Sequence, residues 1–98
     1  MEITKKHDGS NLVVELSGRL DTVTAPELEE AVMNDLDGVT SLTVDLEKLE
    51  YMSSAGLRVM LALYKKMGQQ GSMVVTNVND TISEIFELTG FNDILNIG

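Results

Sequence analysis

Two adjacent serines, Ser53 and Ser54, form the most distinctive polar feature of the sequence, because they lie where a loop passes into a helix-like apolar segment. The ordinary role of a serine at such a place is helix N-capping, in which its hydroxyl accepts a backbone amide proton. A phosphate on such a serine is also well tolerated, since it meets free amides and the positive end of the helix dipole. The two roles are compatible for the same residue, so the pair predicts a helix cap, a phosphorylation switch, or both. Asp21, in the neighbouring predicted loop, would sharpen the repulsion of an acidic partner.

The residue types and their spacing give little support to an enzymatic function. Ser54–Gly56 matches only half of the Gly-x-Ser-x-Gly nucleophile elbow, because Met52 replaces the first glycine. The one available base, His7, falls in a predicted hairpin turn at the other end of the sheet. There is no cysteine, one histidine and no glycine-rich phosphate loop, which excludes thiolate zinc sites, histidine-rich metal sites and the usual nucleotide cradles. We therefore expect no enzymatic activity, no metal and no cofactor.

The composition, 43% hydrophobic and 23% charged over 98 residues, predicts one folded domain that spans residues 1–98. Sixteen acidic against seven basic residues give a net charge of −9, which disfavours binding to nucleic acid or to an anionic membrane surface. The longest apolar run, Val59–Tyr64, is far below the roughly 20 residues that span a bilayer. The N-terminus has no signal-peptide pattern, so we expect a cytoplasmic protein, either a monomer or a weak dimer.

The apolar periodicity predicts strands that alternate with helices. The first half is predicted to begin with a hairpin, with strands at Ile3–Lys5 and Leu12–Leu16 around a turn at His7–Ser10. A helix follows, which starts with a Thr24–Glu27 capping box and ends at Gly38. The next predicted strand is Leu42–Leu46. The second half is predicted to begin with a helix from Ser53 to Gly68, whose apolar stripe is Leu57, Met60, Leu61 and Tyr64. A strand at Met73–Thr76 leads to a helix that is capped by Asn79 or Asp80 and ended by Gly90. A short final strand is predicted at Ile94–Ile97.

This order predicts an α/β fold with a mixed, mostly parallel sheet of four to five strands, about three main helices and an N-terminal β-hairpin. In such sheets, ligands and partners bind at the carboxyl ends of the strands, in the loops that lead into helices. Those loops are predicted at Ser17–Thr24, Glu47–Ser54 and Asn77–Asp80. The search for a site is therefore confined to them.

Three segments of the chain carry a family resemblance. Ser17–Asp21 is followed by Thr24–Ala25 and a helix, Val44–Leu46 is followed by Tyr51–Leu57, and the third helix ends in Phe86–Phe91. These resemble, in order, the first signature, the phosphorylation loop and the closing helix of the STAS domain (sulphate transporter and anti-sigma factor antagonist). Each motif is weak alone, but the three in register cover essentially the whole chain and are fairly specific.

The resemblance implies a bacterial anti-sigma factor antagonist that regulates transcription by partner switching. In such systems, a serine kinase of the histidine-kinase-like ATPase fold holds a sigma factor inactive, and the unphosphorylated antagonist binds this kinase and frees the sigma factor. The kinase phosphorylates the antagonist on one serine and so releases it, and a metal-dependent serine phosphatase restores binding. The antagonist is a substrate and a binding module, not a catalyst.

By position, the resemblance implies that Ser54 is the phosphoacceptor and that Asp21 is the family's loop aspartate. Phosphorylated members often carry aspartate immediately before the acceptor, where this chain has Ser53, so Ser53 is kept as the alternative acceptor. The implied partner-binding residues are Asp21, Thr22, Ser53, Ser54, Ala55, Gly56 and Arg58.

Two other functions remain open at this point. One is a STAS scaffold subunit, without phosphorylation, of a stress-signalling assembly or of a lipid-transport ATPase complex. Neighbouring genes distinguish it, since a kinase-type anti-sigma factor favours the switch, and a transporter ATPase with its permease favours the scaffold. The other is a small-ligand sensor, which rests only on the habit of this fold class of binding at strand ends.

Overall fold

The computed structural model describes residues 1–98, and its elements alternate as the periodicity predicts. There are four strands and three helices, followed by one 3-10 turn at Phe91–Asp93. The strands are β1 (Glu2–Asp8), β2 (Asn11–Leu20), β3 (Ser41–Met52) and β4 (Ser72–Thr76), and the helices are α1 (Ala25–Met33), α2 (Ser54–Gly68) and α3 (Asp80–Thr89).

The four strands form one sheet in the order β1-β2-β3-β4. β1 and β2 are antiparallel and form the predicted hairpin, in which Gly9 has a φ of +61° that favours glycine. β2–β3 and β3–β4 are parallel, with α1 and α2 as the connections between them. The prediction of a mixed, mostly parallel α/β fold with about three helices is confirmed.

The helices cover one face of this sheet. Alternate residues of the central strands are buried, and they belong to one cluster of 24 buried hydrophobic residues to which all three helices contribute. The residues between them, such as the register partners Val13, Thr43 and Val74, are only half-buried. This arrangement brings the first turns of α1 and α2 to the carboxyl ends of the parallel strands.

The start and the end of α1 differ from the prediction. Thr24 is the N-cap residue, but no capping box with Glu27 forms, because the Thr24 hydroxyl bonds to residues before it in the chain instead. The helix ends at Met33, not at Gly38, and Leu36 is buried from a turn beyond the helix. Gly38 has a φ of +77°, as a helix-ending glycine does, but it occupies the turn before β3.

β3 is much longer than the predicted strand at Leu42–Leu46, because it continues to Met52 beside an extended β2. The register between β2 and β3 shifts after Glu15 and again after Gly18, as at a β-bulge. The predicted loop at Glu47–Ser54 is therefore wrong, since only Ser53 separates β3 from α2. The predicted loop at Ser17–Thr24 shrinks to the turn Asp21–Thr24 for the same reason.

The later elements lie close to their predicted positions. α3 is capped by Asn79 and ends at Gly90, whose φ is +79°. The buried face of α2 is rotated from the predicted stripe, because Leu61 is only half-buried and Tyr64 is exposed. The residues that α2 buries are Gly56, Leu57, Val59, Met60, Leu63 and Met67. The predicted final strand is reduced to a single parallel bridge between Ile97 and Val75 of β4.

Candidate functional site

The candidate site lies where β2 and β3 end side by side. Leu20 and Met52, the last residues of the two strands, are register partners. The amide of Ser53 donates to the carbonyl of Leu20 over 2.8 Å, which ties the start of α2 to the chain just before α1. The turn Asp21–Thr24 and the first turn of α2 are therefore neighbours.

The two serines have different surroundings. Ser53 is half-buried and extended (φ −85°, ψ 176°), and its Oγ caps α2 by accepting the amide proton of Gly56 over 3.4 Å. Ser54 is the first residue of α2, and it is exposed. The first turn of α2 contains no acidic residue. A phosphate on Ser54 would therefore meet the positive end of the helix without a like charge on that turn.

Gly56 allows α2 to approach the strand ends closely. A Cβ at this position would lie 2.7 Å from Cγ of Leu20 and 2.9 Å from Cγ of Met52, both shorter than any normal carbon–carbon contact. Gly56 is itself buried. Because Gly56 is two residues after Ser54, this contact fixes how far Ser54 stands out from the end of the sheet.

Asp21 is half-buried, and its carboxylate is engaged by its own turn. Oδ1 accepts the amide protons of Val23 over 3.0 Å and of Thr24 over 3.1 Å. The Thr24 hydroxyl reciprocates, because its Oγ1 accepts the amide proton of Asp21 over 2.9 Å. The two residues thus bond to each other reciprocally, as in a capping box, but they close the turn before α1 and do not cap the helix itself.

These hydrogen bonds favour the charged form of the aspartate. The Thr24 and Val23 amides hold the pKa of the Asp21 carboxyl below its ordinary value, with smaller contributions from the Thr24 hydroxyl and from the charge of Arg19. Thr24 Oγ1 also donates to the carbonyl of Arg19 over 2.8 Å, so the turn is bonded back to the end of β2. Asp21 therefore carries a negative charge at neutral pH and fixes the shape of its turn.

The remaining predicted partner-binding residues border a groove between α1 and α2. Thr22 and Arg58 are exposed and Ala55 is half-buried. The groove is lined by Thr22, Ala25, Pro26, Glu29, Ala55, Arg58 and Val59. All seven residues predicted to bind a partner thus lie at this end of the molecule, in the turn before α1, at the N-cap of α2 or in the first two turns of α2.

Two features of this end were missed in the sequence. The guanidinium carbon of Arg19 lies 4.5 Å from the centre of the Tyr51 ring, a cation–π contact between register partners on β2 and β3. Val23, in the turn before α1, is 84% exposed. The Arg19–Tyr51 contact could not be predicted, because the register shifts between β2 and β3 leave no pattern in the sequence. The exposure of Val23 could not be predicted either, because a residue in a turn gives no periodic signal.

His7 lies at the opposite end of the sheet from the serines, as predicted. It pairs with Leu12 near the start of β2, and its Nε2 is 3.6 Å from Oδ2 of Asp35. The same oxygen is 2.6 Å from Nζ of Lys5. No group of three or more histidine, aspartate or glutamate side chains is arranged to hold a metal ion.

The family model of the STAS domain matches residues 2–98 of the chain. The chain belongs to the STAS domain family. Among its relatives is the anti-sigma-B factor antagonist of Listeria monocytogenes, which is 33% identical over 96 residues, 95% of this STAS domain and 83% of the relative. The protein of the same name from Staphylococcus aureus is 36% identical over 87 residues, 86% of this chain and 80% of the relative.

Solved structures share the fold of this STAS domain. An anti-sigma factor antagonist from Mycobacterium paratuberculosis superimposes with a TM-score of 0.88 at 29% identity, over 98% of this chain and 83% of that one. The Bacillus cell fate determinant SpoIIAA in its phosphorylated form superimposes with a TM-score of 0.76 at 18% identity, over 99% of this chain and 91% of that one. The named relatives are thus regulatory proteins of one class. None of the helices here has the length and apolar character needed to cross a membrane.

Proposed function

We propose that this STAS domain is an anti-sigma factor antagonist that Ser54 switches between two binding states. In the unphosphorylated state, the end of the molecule that carries Ser54 binds a serine-kinase anti-sigma factor in the cytoplasm and frees the sigma factor. Phosphorylation of Ser54 by that kinase releases the antagonist, and a metal-dependent serine phosphatase restores it. Residues 1–98 act as one domain, as a binding module and substrate and not as a catalyst.

The observation that carries this proposal is the difference between the two serines. Ser54 is exposed at the first position of α2, where an incoming kinase has access to its hydroxyl, whereas Ser53 is half-buried and caps the helix. A phosphate on Ser54 adds nearly two negative charges to the end of the molecule that would bind the partner, and it leaves the Ser53 cap of α2 in place. The names of the curated relatives support the partner class, and SpoIIAA, a protein of the same fold, has been solved in a phosphorylated form.

Substitution of Ser54 tests the switch directly. Each kinase of the histidine-kinase-like ATPase fold encoded in the host genome is purified and titrated with the chain, and the one that binds is used throughout. Ser54→Asp should weaken this binding by about tenfold or more, which corresponds to about 1.4 kcal/mol. Ser54→Ala should stay bound in the presence of ATP and Mg²⁺, and its intact mass should show no added phosphate.

A matched control separates the position of the charge from the charge itself. Ser53→Asp adds the same charge one residue earlier and keeps an acceptor for the Gly56 amide, because aspartate caps helices as well as serine does. It should weaken binding much less than Ser54→Asp does. Equal binding by Ser54→Asp and wild type would contradict the switch, and phosphate found on Ser53 would move the acceptor by one residue.

The scaffold alternative gives a different result in the same experiment. Ser53 stands where phosphorylated members often carry aspartate, and this departure is the feature that favours a subunit without phosphorylation. Such a subunit would gain phosphate on neither serine with any of the kinases. It would instead co-purify in fixed stoichiometry with the other subunits of its complex.

A further inference from the structure

Val23 combines an exposed apolar side chain with a fixed backbone. Its side chain is 84% exposed, and Leu88 on α3 is the only other large hydrophobic residue with comparable exposure, at 80%. Single exposed hydrophobic residues are common on protein surfaces, so exposure alone does not identify a contact. The difference between the two lies in what holds them and in what surrounds them.

The turn that carries Val23 is closed by hydrogen bonds from both side-chain and backbone groups. The Val23 and Thr24 amides both donate to Oδ1 of Asp21, and Thr24 Oγ1 joins the amide of Asp21 to the carbonyl of Arg19. The amide of Ala25 donates to the carbonyl of Asp21 over 2.8 Å. Val23 is therefore presented in one backbone conformation before any partner arrives, which removes much of the ordering cost of binding.

Val23 also lies beside the proposed switch. The residue before it, Thr22, lines the groove between α1 and α2 together with Ala55, which directly follows Ser54. The carbonyl of Leu20, just before the turn, accepts the amide proton of Ser53. A protein that binds around Ser54 therefore has the neighbouring turn with Val23 within its reach, whereas Leu88 lies on α3.

We propose that Val23 is an apolar contact of the anti-sigma factor, and that Asp21 is a positioning residue that acts on binding through Val23. This inference rests on the function proposed above and adds to it the chemistry of the partner, which must present an apolar pocket opposite the turn. Asp21 then serves to close its own turn through the Oδ1 acceptor. A partner that read the charge of Asp21 directly would respond to its loss even when the turn stayed closed.

Val23→Ser and Leu88→Ser form a matched pair for the first part. Both remove an exposed apolar side chain, and neither position contributes to the buried core. With the kinase that binds the wild-type chain, Val23→Ser should weaken affinity by about tenfold, and Leu88→Ser should leave it unchanged. Val23→Leu should retain binding, since it keeps an apolar side chain at the same place.

Asp21→Asn and Asp21→Ala separate positioning from charge. Asparagine keeps an Oδ1 acceptor for the two amides and caps as well as aspartate, but it is neutral, whereas alanine removes the acceptor. We expect wild-type affinity for Asp21→Asn and a loss for Asp21→Ala. That loss should shrink when Asp21→Ala is introduced into the Val23→Ser chain, because the two residues act on one contact. Circular dichroism and thermal unfolding of each variant verify that it is folded.

These measurements distinguish failure of the proposed function from failure of the Val23 contact and of the Asp21 positioning role. If the wild-type chain binds none of the kinases, the proposed function is overturned and this inference falls with it. If wild type binds and Val23→Ser binds equally well, the apolar contact is overturned while the proposed function stands. If Asp21→Asn loses as much affinity as Asp21→Ala, the partner reads the charge directly and the positioning role is overturned.

Discussion

Ser53 and Ser54 are chemically identical, and only their places at the start of α2 separate them. The N-cap residue lies outside the helix with its hydroxyl turned towards the helix amides, and the next residue begins the helix and projects from it. This geometry occupies the Ser53 hydroxyl with Gly56 and leaves Ser54 exposed. A pair of serines is thereby divided into one that maintains the helix and one that is open to modification.

At the residue scale, Gly56 gives a prediction about stability. A Cβ there would come within 3 Å of Leu20 and Met52, so Gly56→Ala should force the first turn of α2 away from the strand ends. We expect a loss of about 1–3 kcal/mol in the free energy of unfolding in urea. Gly68→Ala at the end of the same helix is the control, because its Cβ would meet no atom within 4 Å.

The two glycines should differ in sign. Alanine has the higher helix propensity, so Gly68→Ala should stabilise the chain by up to about 1 kcal/mol. A Gly56→Ala chain as stable as wild type would mean that the strand ends yield to the added methyl group. The close contact would then not be what fixes the position of Ser54.

At the scale of the elements, the sequence predicts the ends of α2 and α3 better than the ends of α1. Asn79, one of the two predicted caps, and Gly90 bound α3, and Ser53 caps α2. At α1 the predicted capping box does not form, because the Thr24 hydroxyl bonds back to Asp21 and Arg19 and not to the helix amides. The type of each residue does not reveal in which direction a hydroxyl will bond.

The length of β3 was underestimated for a different reason. Strands are recognised by alternation, and up to Leu46 every second residue of β3 is buried. Beyond that point the buried residues are Leu49 and Met52, three residues apart, because the register with β2 shifts. Such spacing does not look like a strand in a sequence. The predicted partner-binding residues follow from motif positions, which do not depend on the strand ends, and the structure places these residues at one end of the molecule.

Asn79 gives a prediction at the element scale, because it joins α3 to β3. Its Oδ1 accepts the amide proton of Ile82 over 3.0 Å, while its Nδ2 donates to the carbonyls of Leu49 over 2.7 Å and Leu46 over 3.2 Å. Aspartate and asparagine cap helices equally well, so capping alone predicts no effect of Asn79→Asp. We expect a loss of about 1–3 kcal/mol instead, because the two strand carbonyls lose their donor and face a carboxylate.

Asn92→Asp is the control for this change. It adds the same charge at an exposed position in the 3-10 turn, where the side chain makes no hydrogen bond within the protein. Urea unfolding should show little change for this variant. Equal stability of Asn79→Asp and Asn92→Asp would reduce the role of Asn79 to that of a cap.

At the scale of the whole molecule, acid has two opposing effects on stability. The chain carries a net charge of −9 at pH 7, and protonation of its carboxylates relieves the repulsion among them. The ion pair of Asp35 with Lys5 acts in the opposite direction. The Lys5 hydrogen bond and charge, assisted by His7, hold the pKa of the Asp35 carboxyl below its ordinary value of 3.8. Lys5 also donates to the carbonyl of Ala31, so this pair fastens β1 to the end of α1.

As the pH falls, the free energy of unfolding should therefore lose the contribution of the Asp35–Lys5 ion pair while the repulsion among the carboxylates decreases. Because the folded-state pKa of Asp35 lies below the unfolded one, the unfolded chain binds more protons at acid pH, and the stabilisation is lost as the pH falls through 3.8 towards the folded-state value. At pH 7 wild type should be more stable than Asp35→Asn. The gap should close as the pH falls below about 4, where a protonated aspartate resembles asparagine.

The comparison with Asp35→Asn cancels the general effect of net charge, because the two chains differ by one carboxylate. Asp37→Asn, an exposed neighbour without an ion pair, is the control, and it should change stability little across the whole range. Chemical unfolding at several pH values between 7 and 3 gives the three curves. A gap between wild type and Asp35→Asn that stays constant with pH would mean that the Asp35 carboxylate contributes no charge-dependent stability, and that β1 is held to α1 by other contacts.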